Sequence, residues 1–143
     1  MHRIERSVLV PYSVDRMFRL VEKVDDYPQF LPWCPASRAR PLPDGSVEAT
    51  IEIAYRGVRT RFTTRNVSYH PREIRMTLVD GPFRRLTGHW HFAELPEQAC
   101  KVSLHLQYQF AAGLLGRMIA PVFESIASSL IDAFARRAEA LYD

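Results

Sequence analysis

Apolar and polar residues alternate strictly over the middle of this 143-residue chain. Such a period of two predicts strands with one buried and one wet face. Residues 3–10 read as a first strand, with Ile4, Val8 and Val10 on one side and Pro11 ending it. The period then changes. Ser13 is a good helix N-cap, Tyr12 and Met17 fit a hydrophobic staple, and Val14, Met17, Phe18 and Val21 recur at i, i+3, i+4, i+7. Asp25 or Asp26 opens a second, shorter helical turn through Phe30. Leu31–Pro35 reads as a rigid loop, because prolines fix the backbone and donate no hydrogen bond.

From about residue 36 the period returns to two. Asp44-Gly45, Arg56-Gly57, His70-Pro71 and Asp80-Gly81-Pro82 read as turns. Between them Ala49, Ile51, Ile53 and Tyr55 share a face, as do Val58, Phe62 and Thr64, then Ile74, Met76 and Leu78. Leu86, Gly88, Trp90 and Phe92 follow, and the cleanest alternation is Val102 to Phe110. Short turns and a single apolar face predict an antiparallel meander of six to seven strands. The tail is helical: after Gly113, Gly116 and Pro121, the residues Val122, Phe123, Ile126, Leu130, Ala133, Phe134 and Leu141 form an apolar stripe. The two glycines predict a loose start, and Pro121 predicts a first turn or kink. Residues 121–141 would span roughly 30 Å as a helix, the length of a nine-residue strand. The fold class expected is α+β: residues 1–143 as one domain, a curved sheet around one long C-terminal helix. A curved sheet cannot follow a straight helix everywhere, so a cavity is expected between them.

Composition narrows this further. A chain 47% hydrophobic and 24% charged is one folded domain, not a disordered tail. Cys34 and Cys100 are too few for a disulfide framework and predict free thiols in a reducing cytoplasm. The first residues lack the apolar core of a signal peptide. Arg117, Pro121 and Glu124 interrupt the most apolar stretch, Ala111–Ile131, making it a poor membrane span. Of 19 basic residues only Lys23 and Lys101 are lysine. That skew fits either an anionic partner or a genome that favours arginine codons.

Candidate chemistry is sparse. There is no nucleophile elbow, phosphate loop or paired-carboxylate arrangement. His89, His91 and His105 fall on the polar face, where alternate spacing alone accounts for them and no metal site is assigned. The inward polar residues Thr60, Thr64, Asn66 and Arg6 suit orienting a carbonyl or ring oxygen, or hydrogen bonding to one another. The outward arginines Arg59, Arg61, Arg65, Arg75 and Arg85 form a basic face suited to lipid headgroups or RNA phosphate. DNA is not expected as a partner. The residues expected around a cavity are Ile53, Tyr55, Phe62, Thr64, Met76, Trp90, Phe92, Leu106, Tyr108, Leu115, Ile119, Phe123 and Ile126.

Several motifs go further. Val10-Pro11-Tyr12, the run Val24-Asp25-Asp26-Tyr27-Pro28-Gln29-Phe30-Leu31-Pro32-Trp33-Cys34, Phe62–Asn66, Asp80-Gly81-Pro82-Phe83, Leu86–Trp90 and Asp132–Ala138 together resemble the coenzyme Q-binding START family. That family includes the bacterial ribosome-association toxins and belongs to the polyketide cyclase/dehydrase-like superfamily. The resemblance covers nearly the whole chain. It implies a helix-grip fold with an apolar tunnel under the last helix. It implies non-catalytic binding of ubiquinone or a related prenyl lipid in support of respiratory electron transport, with no required cofactor. In the toxin branch it implies binding to the large ribosomal subunit and a block of subunit joining; a cyclase-like enzyme is a third expectation. The expected location is the cytoplasm, with peripheral contact at the inner membrane through Gly113–Gly116.

Overall fold

Ser13 does what its position predicts: its hydroxyl accepts the Arg16 amide at 3.2 Å and starts helix α1, Val14–Glu22. A computed structural model describes residues 1–143. Strand β1 (His2–Val10) precedes α1, and a 3-10 segment, Val24–Gln29, follows it. Six more strands come next: β2 (Ser37–Pro41), β3 (Val47–Tyr55), β4 (Val58–Tyr69), β5 (Glu73–Asp80), β6 (Phe83–Leu95) and β7 (Ala99–Phe110). Helix α2, Leu114–Tyr142, closes the chain. All strand pairs are antiparallel, in the order β1-β7-β6-β5-β4-β3-β2. The hairpins β2 to β7 are therefore sequential, and β1 is the one strand that reaches across to a distant neighbour.

The alternation carries through to burial. Leu86, Trp90 and Phe92 are buried on β6, opposite Tyr108, Leu104 and Val102 of β7. The buried side chains form one contiguous core that runs from Ile4 to Ala138. Arg6 departs from its expected inward position. It lies on β1, an edge strand, and its guanidinium is exposed beside the Glu5 carbonyl.

Helix α2 departs most from the sequence reading. It begins at Leu114, so Pro121 lies inside it and not at its first turn. Pro121 is exposed, so the carbonyl that loses its helical donor can turn toward water. With 29 residues α2 spans roughly 43 Å, the length also of the 13-residue β6. Both elements are longer than the pattern suggested, and still matched. Gly116 does not loosen the start. A Cβ there would overlap the Ala111 carbonyl oxygen, so this glycine lets the helix seat directly on the chain that precedes it. Leu141, expected in the stripe, is 49% exposed, and Ile131 and Ala138 are buried in its place. By length and composition α2 could cross a bilayer, yet its stripe Ile119, Phe123, Ile126, Ile131 and Phe134 is buried in this fold.

Candidate functional site: an apolar cavity under the long helix

Two groups of aromatic rings hold α2 to the rest of the fold. Toward its start, Phe123 packs edge-on against Phe83 (4.8 Å between centroids), Tyr108 (4.9 Å) and Phe62 (6.2 Å). Eleven residues on, Phe134 packs edge-on against Trp90 (5.3 Å), Tyr27 (5.3 Å) and Phe30 (5.2 Å). Between these groups two of the residues are small. Ala127 faces in from the helix and Gly88 from the sheet, and both border empty space.

The cavity between them has a volume of about 80 Å³. That is room for a handful of water molecules. Of its 18 lining residues 15 are hydrophobic, so water there would find few partners and apolar matter would be favoured. The three others are Thr64, Asn66 and Gly88. The Thr64 hydroxyl donates to Asn66 Oδ1 at 2.7 Å. Positions i and i+2 of β4 place both side chains on its inner face. Tyr27 is the one titratable lining residue, and its hydroxyl donates to the Val21 carbonyl. Burial, the larger cause, and the nearby Cys34 push the Tyr27 pKa up, so it remains neutral at ordinary pH.

The structure brings eight of the thirteen expected residues to this lining: Ile53, Phe62, Thr64, Met76, Trp90, Leu106, Phe123 and Ile126. The other five lie elsewhere. Phe92 is stacked on Trp90 and packed against Phe18, and Tyr108 belongs to the Phe83–Phe123 group. Ile119 is fully buried in the core. Tyr55 lies beneath the Arg56 guanidinium at the β3–β4 turn. Leu115 is 50% exposed, next to Leu114 at 69% and close to Met118 at 46%. Sequence reasoning left Val24, Tyr27, Trp33, Ile51, Asn66, Leu86, Gly88, Leu104, Ala127 and Leu130 out of the lining, although it had placed Ile51 and Asn66 on the inward face. The small size of Gly88 and Ala127 was the available signal.

The five arginines are all exposed, but they are not equivalent. Arg65 pairs with Asp44 at 2.6 Å and Arg75 with Glu73 at 3.0 Å. Asp44 is held well below the usual carboxylate range, first by the Ser46 hydroxyl and then by Arg65. Arg59, Arg61 and Arg85 make no ion pair, although Arg61 lies across from Glu52 in the β3–β4 register. The basic face is thus interrupted by acids. On β6 and β7, His89 meets Glu73 at 2.9 Å and His105 faces Glu5 at 3.7 Å. The His89 ring is 5.9 Å from His91 and 6.3 Å from His105, a row of rings that does not converge on a point. Cys34 and Cys100 are buried free thiols, and desolvation raises both, Cys100 to about 11. Neither is a ready nucleophile.

A seven-stranded antiparallel sheet gripping one long helix over an apolar cavity defines a START-like fold of the helix-grip type. The chain belongs to the polyketide cyclase/dehydrase and lipid transport family, which residues 10–135 match. It is 39% identical over 142 residues to the ribosome association toxin RatA of Escherichia coli, covering 99% of this chain and 90% of that one. It is 29% identical over 140 residues to the mitochondrial coenzyme Q-binding protein coq10 of Schizosaccharomyces pombe, covering 93% and 84%. A START superfamily protein from Mycobacterium smegmatis superimposes with a TM-score of 0.82 at 19% identity, over 99% of both chains.

Proposed function

We propose that this protein binds a hydrophobic ligand without catalysing a reaction on it, and that the ligand is ubiquinone or a related prenyl lipid. The observation that carries this reading is the cavity lining, 15 of 18 residues hydrophobic, with a single polar corner. Burying one five-carbon prenyl unit gains up to roughly 4 kcal/mol, at about 0.8 kcal/mol per carbon, less the cost of ordering the chain. The non-catalytic part rests on the lining as well. It contains no Asp, Glu, His, Lys, Arg or Cys, and its one titratable residue, Tyr27, stays neutral with its proton given to the Val21 carbonyl, which supports binding over acid–base chemistry. A prenyl chain is larger than the cavity. Binding therefore requires side chains such as Met76 and Leu130 to rotate, or α2 to move outward.

Ligand exchange with a membrane belongs to the same reading. Leu114, Leu115 and Met118 stand exposed around Arg117 on the first turns of α2, apolar side chains beside a positive charge. The deciding experiment is mass spectrometry of the organic extract of purified protein, followed by titration with a short-chain ubiquinone. A bound prenyl quinone and saturable binding are expected. No prenyl lipid in the extract and no binding on titration would remove the reading. Flotation with vesicles containing anionic lipid tests the exchange site, and L114D together with L115D should abolish the floated fraction.

A second reading, association with the large ribosomal subunit in the cytoplasm, is favoured by the 39% identity to a protein named for ribosome association. Its surface would be the unpaired arginines, not the cavity. Co-sedimentation with large subunits should be lost in the R59E/R61E double variant. Retained co-sedimentation would show that the contact lies elsewhere.

A further inference from the structure

We infer that Thr64 and Asn66 form a head-group subsite that selects a neutral, apolar molecule ending in a hydrogen-bond acceptor such as a carbonyl oxygen. This inference rests on the reading of the cavity as a ligand site and adds what that ligand must carry. The Thr64 proton is already given to Asn66 Oδ1. That bond fixes the amide and leaves the two Nδ2 hydrogens of Asn66 without a partner in the protein. The donors on offer to a ligand are thus the Asn66 Nδ2 hydrogens, while Thr64 Oγ1, its proton given to the amide, keeps only acceptor lone pairs and serves to position that amide.

The position of Asn66 in the fold adds a second observation. A smaller cavity of about 30 Å³ adjoins the first, and Val24, Tyr27, Asn66, Met76 and Trp90 line both. Asn66 therefore sits at their junction. The smaller cavity is bordered also by Glu22 and Ser68, both exposed, so it leads toward solvent. A ligand with its polar end at Asn66 would keep its apolar body in the larger chamber. Charge narrows the choice again. Neither cavity is lined by Lys, Arg or His, and Glu22 stands at the rim of the second. A phosphate or carboxylate head would meet no counter-charge there and would face a negative one. A quinone carbonyl meets all three conditions: it is neutral, it accepts, and it ends an apolar molecule.

The test compares two probes on one protein: a short-chain ubiquinone, and a prenyl hydrocarbon of the same length with no oxygen. Asn66→Leu keeps the side-chain size and removes the donor. Its quinone affinity should fall about tenfold, the effect of one hydrogen bond near 1.4 kcal/mol, while hydrocarbon affinity holds or rises. Infrared difference spectra of carbonyl-labelled quinone should show a lowered C=O stretch in the native protein and an unshifted one in the variant. Thr64→Val, nearly isosteric, frees the amide to rotate and should give a smaller loss with the same sign. It carries the test if Asn66→Leu does not fold. Equal losses for both probes, or an unshifted carbonyl in the native protein, would overturn the subsite while leaving the apolar-ligand reading intact. Failure of the native protein to bind either probe would overturn both.

Discussion

Two glycines do opposite work in this fold, and one added methyl group on each separates them. At Gly88 a Cβ would overlap the Met76 Cε methyl and lie 2.9 Å from Leu106 Cδ2, the free ends of two flexible side chains. Met76 can rotate, and the space open to it is the cavity. Gly88→Ala should therefore fold with a stability loss of about 1 kcal/mol or less, yet lower the affinity for a short-chain quinone several-fold. Paired denaturation and titration would check both halves. At Gly116 the same Cβ meets the Ala111 carbonyl oxygen, and backbone cannot step aside. Gly116→Ala should cost about 1–3 kcal/mol in chemical denaturation by unseating the first turns of α2. A sequence read alone treats both as gaps in an apolar pattern. Which of them has room to take a methyl group depends on what faces it across the fold, and for Gly88 that is the flexible ends of Met76 and Leu106.

At the scale of elements, α2 is fastened unequally at its two ends. Its start has Gly113 at the N-cap with a φ of 100° and no side-chain cap. Its end is tied to α1 and the turn before it: the Tyr12 hydroxyl donates to the Asp143 carboxylate at 2.6 Å, and the Arg16 guanidinium lies 5.0 Å over the Tyr142 ring. The bond to Asp143, with burial second, pushes the Tyr12 pKa up from 10.0 to about 12. A group whose pKa rises on folding favours the fold while protonated. This contribution is whole below pH 10 and fades as pH climbs toward 12. Thermal melts across that range should show a decline in the native protein, and Tyr12→Phe should flatten it while lowering the melting temperature slightly at neutral pH. The helix itself was legible as an apolar stripe from Val122 to Phe134. Its true start was not, because Pro121 and the two glycines argue locally against helix, and the seating of Gly116 on Ala111 and the burial of Ile119 override them.

For the whole molecule, two-residue alternation made the sheet readable strand by strand, and seven strands formed where six to seven were expected. The cavity was less readable for a physical reason. Every inward position on a strand looks alike in sequence, whether it meets another side chain or a void. Phe92 went to Phe18 of α1 and Tyr108 to the ring group around Phe123, while Trp90 and Leu106, two positions away on the same strands, line the cavity. Polar bonds split similarly. Asp15, Asp44 and Glu73 are each held below the carboxylate range, by Arg19, Ser46 and His89 respectively as the largest cause. The stabilisation these carboxylates give is present above the ordinary carboxylate range and is lost as pH falls through their lowered values. Acid denaturation monitored by circular dichroism should accordingly begin later in the native protein than in the triple variant D15N/D44N/E73Q.

The sheet is open, with β1 and β2 outermost, and the free side of β2 is partly covered, its Ala39 amide donating to Asp25 at 3.2 Å. One of them, β2, is five residues long, carries Arg38 and Arg40 and ends in Pro41, which has no N–H to offer. The other, β1, exposes Arg3, Glu5 and Arg6. Short length, charge and proline all discourage another chain from adding itself to the row. These two margins are therefore poor templates for sheet-to-sheet association. Replacing Arg38, Arg40 and Pro41 by valine should leave the melting temperature nearly unchanged while turning light scattering upward with concentration.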